Sequence, residues 1–210
     1  MKNKKLILLG ITLILLSGCG NSIERASRTI GLIQENVTNI IGKISEVQNQ
    51  ESDLQADFEE TLKESDDLSA FAKDTNPVIG NIQEREQLLT DIDSSRQDLL
   101  ELIEELNQIP EHKDLPDEQT QKVIEYIQAL CEDLELYVSN YQENLKVEAD
   151  TFKSVANPEI NHESFFGVFD NINDLAIENN INLDAVLGHF ESLNVLLVNL
   201  KVYLVNLTDK

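Results

Sequence analysis

Tryptophan is absent from the chain, and its aromatics are seven Phe and four Tyr. Flat aromatic platforms usually stack on sugar rings, so the lack of Trp weakens a sugar-binding reading. Positive charge is also scarce: 16 Lys and Arg stand against 39 Asp and Glu, for a formal charge of -23. That balance argues against nucleic-acid binding, which needs basic patches to displace counterions. It equally opposes docking on anionic lipid heads. An acidic surface of this kind serves solubility and a solvated helix face before it serves a cationic partner.

Cysteine is nearly absent. Of two Cys, Cys19 lies in the N-terminal segment and Cys131 has no second cysteine to pair with. A lone Cys on an apolar helical stripe behaves as a small buried hydrophobe; a reactive thiol is the sharper alternative. No Gly-rich phosphate loop, nucleophile elbow or His-Glu-x-x-His pair occurs. His112, His162 and His189 are far apart and lack ligand-like neighbours at helical spacing. The carboxylate pairs Glu59-Glu60, Asp66-Asp67 and Glu104-Glu105 could serve glycoside cleavage only across a cleft of set separation. On polar helix faces they are solvated charge, and no EF-hand loop is present. The sequence therefore points to no catalytic residue, no metal site and no cofactor, and to a protein that is not an enzyme.

What is present begins at the N-terminus. Lys2, Lys4 and Lys5 precede an apolar run from Leu6 to Leu16, then Leu16-Ser17-Gly18-Cys19. Basic, apolar and then small residues are the order of a secretory signal. A Cys directly after the small residues makes Leu16, Ser17, Gly18 and Cys19 a lipobox, with cleavage before Cys19. The run is about half the ~20 residues a membrane-crossing helix needs. A diacylglyceryl group on Cys19, with palmitate-type chains, supplies two chains, whereas one alone holds weakly. The expected partner of Cys19 is thus the membrane, with the chain on its extracytoplasmic face. Removing residues 1–18 takes away three lysines and brings the charge from -23 to -26. The expected organisation is a signal peptide at 1–18, a lipidated Cys and short tether at 19–22, and a helical bundle at 23–210.

Beyond the anchor, apolar residues recur at spacings of three and four, the helical period. In the first stretch one line reads Ile23, Ile30, Val37, Ile44, Glu51, Phe58, Ser65, Ala72, and the other Ala26, Ile33, Ile40, Val47, Leu54, Thr61, Leu68. These are the a and d positions of a coiled-coil heptad. The spacing predicts a helix to about residue 73, a turn at 73–77, and a second helix capped by Asn76 with Pro77 in its first position. That helix carries Ile82, Leu89, Arg96, Ile103 and Arg85, Ile92, Leu99, Leu106 on its two lines, and ends near Ile109. A loop with Pro110 and Pro116 follows. A third helix, 117–155, carries Ile124, Cys131, Val138, Leu145, Phe152 and Ile127, Leu134, Tyr141, Glu148, Val155. A weaker stretch after Pro158 is expected to break or kink at 178–182, before a last helix patterned from Leu183 to Leu207.

Long helices joined by short loops bury their stripes on antiparallel neighbours. The fold class is all-α: an elongated antiparallel three- or four-helix bundle with coiled-coil-like heptads, after a cleaved signal peptide. A hairpin turning at 73–77 sets Glu51 less than one helical turn from Arg96, which predicts that they pair. Tyr137 and Tyr141 lie one turn apart and form either a partner-facing or a core-facing patch.

The segment Leu136-Tyr137-Val138-Ser139-Asn140-Tyr141, followed by Leu145, Glu148 and Phe152, resembles the tyrosine-and-acid segment of the cell-wall-binding lipoproteins (YkyA-like) of Gram-positive bacteria. Glu84-Arg85-Glu86-Gln87-Leu88 resembles the same family's Glu-Arg segment. The chain departs from it in having Phe152 where the family has Tyr, and in being poor in Lys. The resemblance implies an all-helical lipoprotein displayed outward on the cell membrane and associated with the wall, and it supplies no catalytic residues. The expected function is a lipid-anchored, non-enzymatic envelope rod whose partner is a cell-wall component or an envelope protein. The alternative is a scaffold or accessory subunit of an envelope protein complex.

Overall fold

The computed structural model describes residues 22–109 and 116–208. The signal segment, the lipobox residues Leu16 to Cys19, Pro110 and His112 lie outside the described residues. Four long helices follow in order: α1 Ser22–Lys63, α2 Pro77–Asn107, α3 Asp117–Ser154 and α4 His162–Thr208. They pack antiparallel, each against the next, and α4 closes the bundle on α1. Named contacts mark every seam. Lys43 reaches Asp91 at 2.9 Å between α1 and α2, and Arg96 reaches Glu135 at 3.3 Å between α2 and α3. Asn144 donates to Asn179 at 2.9 Å between α3 and α4, and Lys201 donates to Gln34 at 3.0 Å between α4 and α1.

The heptad lines form the core. Ile23, Ala26, Ile30, Ile33, Val37, Ile40, Ile44 and Val47 of α1 are buried with Leu89, Ile92 and Leu99 of α2. Val123, Ile127, Leu130 and Leu134 of α3 and Leu193, Leu197, Leu200 and Leu204 of α4 complete the same core. Each full burial of such a side chain stabilises by roughly 1.5–3 kcal/mol. Phe58 lies tilted against Phe71 at 5.0 Å and edge-on to Phe169 at 5.2 Å between ring centres, and so fills the end of the bundle away from Ser22.

The first turn departs from the expected one. α1 stops at Lys63, ten residues short of the predicted end, although Ser65, Leu68 and Ala72 continue its heptad lines. The cause is local. Ser65 Oγ accepts from the Ala70 amide at 2.9 Å and Asp67 from the Ser69 amide at 3.1 Å. Side chains that offer the backbone such partners compete with helix continuation. Leu68 takes the left-handed conformation with φ 62°, and Ser69–Ala72 form a short 3-10 helix. Asn76 ties the turn together. Its amide donates to the carbonyls of Ala70, Phe71 and Lys73 at 3.2, 3.3 and 2.8 Å. Its Oδ1 caps α2 by accepting from the Ile79 amide at 2.9 Å, with Pro77 in the first helical position as expected.

The longer connector shifts the register of the hairpin. Asn39 lies against Ser95 and Asn81 against Gln50. The basic residue of α2 whose charge acts on Glu51 is therefore Arg85, and the predicted Glu51–Arg96 pair does not form. Arg96 instead pairs with Asp93 at 2.8 Å and with Glu135. The expected break at 178–182 is also absent, because α4 runs unbroken from His162 to Thr208. Asn179 is buried there, but Asn144 satisfies its side-chain oxygen, so it does not draw on the helix backbone.

Candidate functional site: a buried charge cluster beside an open cleft

Arg85 stands on a core-facing line of α2, Tyr141 and Glu148 lie seven residues apart on one line of α3, and Glu51 occupies a core-facing line of α1. Helical periodicity therefore aims all four side chains inward. Arg85 is 2% exposed and Glu148 3%. The guanidinium grips the carboxylate with both ends of its fork: Nη1 donates to Oε2 at 3.0 Å and Nη2 to Oε1. Two further donors are used as well. Nε donates to Asn81 Oδ1 at 2.9 Å, and Nη1 also donates to the Tyr141 hydroxyl at 3.2 Å. Tyr141 in turn donates to Glu51 Oε1. The Asn81 amide continues the network into α1, donating to the Gln50 carbonyl at 2.7 Å and to Asp57 at 2.8 Å.

This network satisfies a guanidinium in a place where an unpaired one would be very costly. Burial acts to lower the pKa of Arg85, but the Glu148 carboxylate outweighs it and holds the pKa above its usual value. Burial pushes both tyrosine hydroxyls up, so Tyr137 and Tyr141 remain neutral. Burial is also the largest influence on Glu51 and raises its pKa, against the pull of the Tyr141 hydroxyl and of Arg85; the Glu148 charge raises it further. Two carboxylates thus lie near one guanidinium, and among the described residues Glu51 has no ion pair.

Beside the cluster, α1 and α4 part to leave a cleft of 580 Å³. Leu54, Phe58, Leu62, Phe152, Phe169 and Ile172 form apolar walls, and Glu51, Arg85 and Glu148 form a polar floor. Chemically the site can hold charge and hydrogen-bond a ligand. Among the described residues, no group of three or more His, Cys, Asp or Glu is placed to hold a metal ion.

The other sequence candidates are placed as follows. Tyr137 and Tyr141 are not partner-facing: each is 1% exposed, and their rings meet edge-on at 5.7 Å inside the core. They lie on the stripe of α3 that packs inward, which leaves no face for a partner. Cys131 is buried near the Arg96 carbonyl, and burial pushes its thiol up to about 12. His189 contacts Asp133 at 2.6 Å, and His162 stacks on Phe166. Periodicity alone missed the Arg85–Glu148 partnership and the part played by Asn81. The available signal was that Arg85, Glu51 and Glu148 stand on apolar lines, where a charge needs a partner.

The structure brings together the two segments that carry the family resemblance, since Arg85 from one binds Tyr141 and Glu148 from the other. No curated protein and no solved structure matches the chain. A family profile does match, over residues 21–186, from the start of α1 to the middle of α4. On that match the chain belongs to the YkyA family, described as putative cell-wall binding lipoproteins.

Proposed function

We propose that this protein is a lipid-anchored, non-enzymatic helical rod of the cell envelope that associates with the cell wall. The observation that carries the reading is the start of α1 at Ser22, only three residues after Cys19. A lipid on Cys19, following cleavage at the Leu16-Ser17-Gly18 lipobox, would therefore hold one end of the bundle almost at the membrane. At 1.5 Å per residue the 42 residues of α1 extend about 63 Å from that point. Repulsion between the acidic surface and anionic head groups discourages the rod from lying flat. Wall polymers rich in phosphate are anionic too, so direct charge attraction does not explain wall association. Divalent cations bridging protein carboxylates to wall phosphates reconcile the two. Pull-down on purified wall, with and without chelator, tests this. Retention lost on chelation is the expected result, and no retention in either condition would sink wall binding.

A second reading, a scaffold for an envelope protein complex, is favoured by one observation. α4 is apolar on two sides: Leu193, Leu197, Leu200 and Leu204 enter the core, while Ile177, Ile181, Val195, Val198 and Val202 are exposed. Crosslinking in intact cells discriminates, because a scaffold gives a defined protein adduct through this outer face.

A further inference from the structure

We propose that the cleft between α1 and α4 binds a small organic cation, a primary ammonium on an apolar stem, with the ammonium at Glu51 and the stem against Phe58, Phe152 and Phe169. The charge count comes first. The hydrogen bonds of Arg85 go to Glu148, Tyr141 and Asn81, and among the described residues none reaches Glu51. Among the described residues, Glu51 receives its hydrogen bond on Oε1 from Tyr141, and the same residue lines the cleft. Among the described residues Arg85 is the one basic residue lining the cleft, whereas Glu51, Glu59 and Glu148 are all present there. An anionic ligand would meet three carboxylates.

The walls select the kind of cation. A hard divalent ion wants six or more oxygens around it, and much of this lining is hydrocarbon. Phe58 and Phe152 lie 5.9 Å apart and Phe58 and Phe169 5.2 Å apart between ring centres. Aromatic faces attract an organic ammonium as well as its carbon stem. The 580 Å³ of the cleft falls within the range of small-ligand sites. A carboxylate held in this partly apolar place without an ion pair is destabilising, and an ammonium would relieve that cost on binding. The inference goes beyond wall association, and either can hold without the other.

The test uses the mature lipidated protein in nanodiscs, with empty nanodiscs subtracted, and fluorine NMR of two matched probes. These are 4-fluorobenzylammonium and 4-fluorobenzyl alcohol. The ammonium is expected to bind saturably and at least about tenfold more tightly than the alcohol, a difference of about 1.4 kcal/mol. Glu51→Gln, whose amide oxygen can still accept from Tyr141, is expected to bring the two affinities together. Ala176→Phe fills the cleft from α4 and is expected to abolish binding of both probes. Equal binding of the two probes by the unsubstituted protein overturns the proposal, as does no binding of the ammonium. Full ammonium selectivity in Glu51→Gln, or undiminished binding in Ala176→Phe, overturns it as well. The probe comparison in the unsubstituted protein stands even if a variant fails to fold.

Discussion

Replacing Glu148 by Gln removes one charge from the buried cluster while keeping the length of the side chain. Arg85 then keeps its bonds to Asn81 and Tyr141 but loses its bidentate carboxylate. Breaking a buried ion pair by removing one partner costs about 3–5 kcal/mol, because a charge is left without compensation. Glu51, reached through Tyr141, supplies part of the missing negative charge, so the expected loss is about 3 kcal/mol, at the low end of that range. Against a total stability of about 5–15 kcal/mol this is a large fraction. Arg85→Met is expected to cost more, since it strands Glu148 and Glu51 together. The double substitution Arg85→Met with Glu148→Leu replaces the pair by apolar side chains and is expected to cost less than either single change. Urea unfolding at pH 7, followed by circular dichroism at 222 nm, of the unsubstituted protein, Arg85→Met, Glu148→Leu and their double variant gives all four corners of the cycle, with Glu148→Gln measured beside them. A loss below about 1 kcal/mol for Glu148→Gln, the size of an ordinary hydrogen bond, would refute the reasoning. So would a double variant whose cost equals the sum of Arg85→Met and Glu148→Leu taken singly.

Three further perturbations have defined outcomes. Glu51→Gln is expected to stabilise the protein at pH 7. The folded-state pKa of Glu51 lies above its usual 4.5, so its ionisation subtracts stability as pH rises through the folded value. The gain should raise the melting temperature by about 2–4 °C per kcal/mol in a chain of this size and fade as pH falls toward 4.5. An unchanged or lower melting temperature at pH 7 would contradict the burial argument. Cys131, with its thiol near 12, should resist iodoacetamide at pH 8 in the folded protein and react once urea unfolds it; alkylation at the same rate in both states would refute its burial. Asn76→Ala should cost about 2 kcal/mol, the upper end for a helix cap, since three turn carbonyls lose their donor as well. Thermal melting reads this directly, and a loss of a few tenths would show that the turn holds without it.

The helices were legible in the sequence because their stability rests on apolar stripes, and a stripe is a periodic signal. The start of α2 was legible because Asn76-Pro77 is a local device whose chemistry acts within four residues. The end of α1 was not, because Ser65, Leu68 and Ala72 fall by position on the heptad lines while Ser65 and Asp67 bond the backbone of a turn. That one misplacement moved the hairpin register and exchanged Arg96 for Arg85 as the basic residue of α2 whose charge acts on Glu51. The Arg85–Glu148 pair joins residues 63 positions apart, and no local pattern announces such a contact. Only the general cost of a charge on an apolar line pointed toward it. The continuity of α4 through Asn179 was hidden for a related reason, since the residue that satisfies it, Asn144, lies on another helix.

The account's central claim is that a lipid at Cys19 holds one end of a long acidic bundle and sends the other end outward. Spin labels at Ser22 and Lys73 in the lipidated protein, with distances measured to labelled lipid head groups, test it most directly. Lys73 lies just beyond the far end of α1, so the account predicts that it stands about 60 Å farther from the bilayer than Ser22. A Lys73 distance close to that of Ser22 would mean that the bundle lies along the membrane, and would contradict the claim.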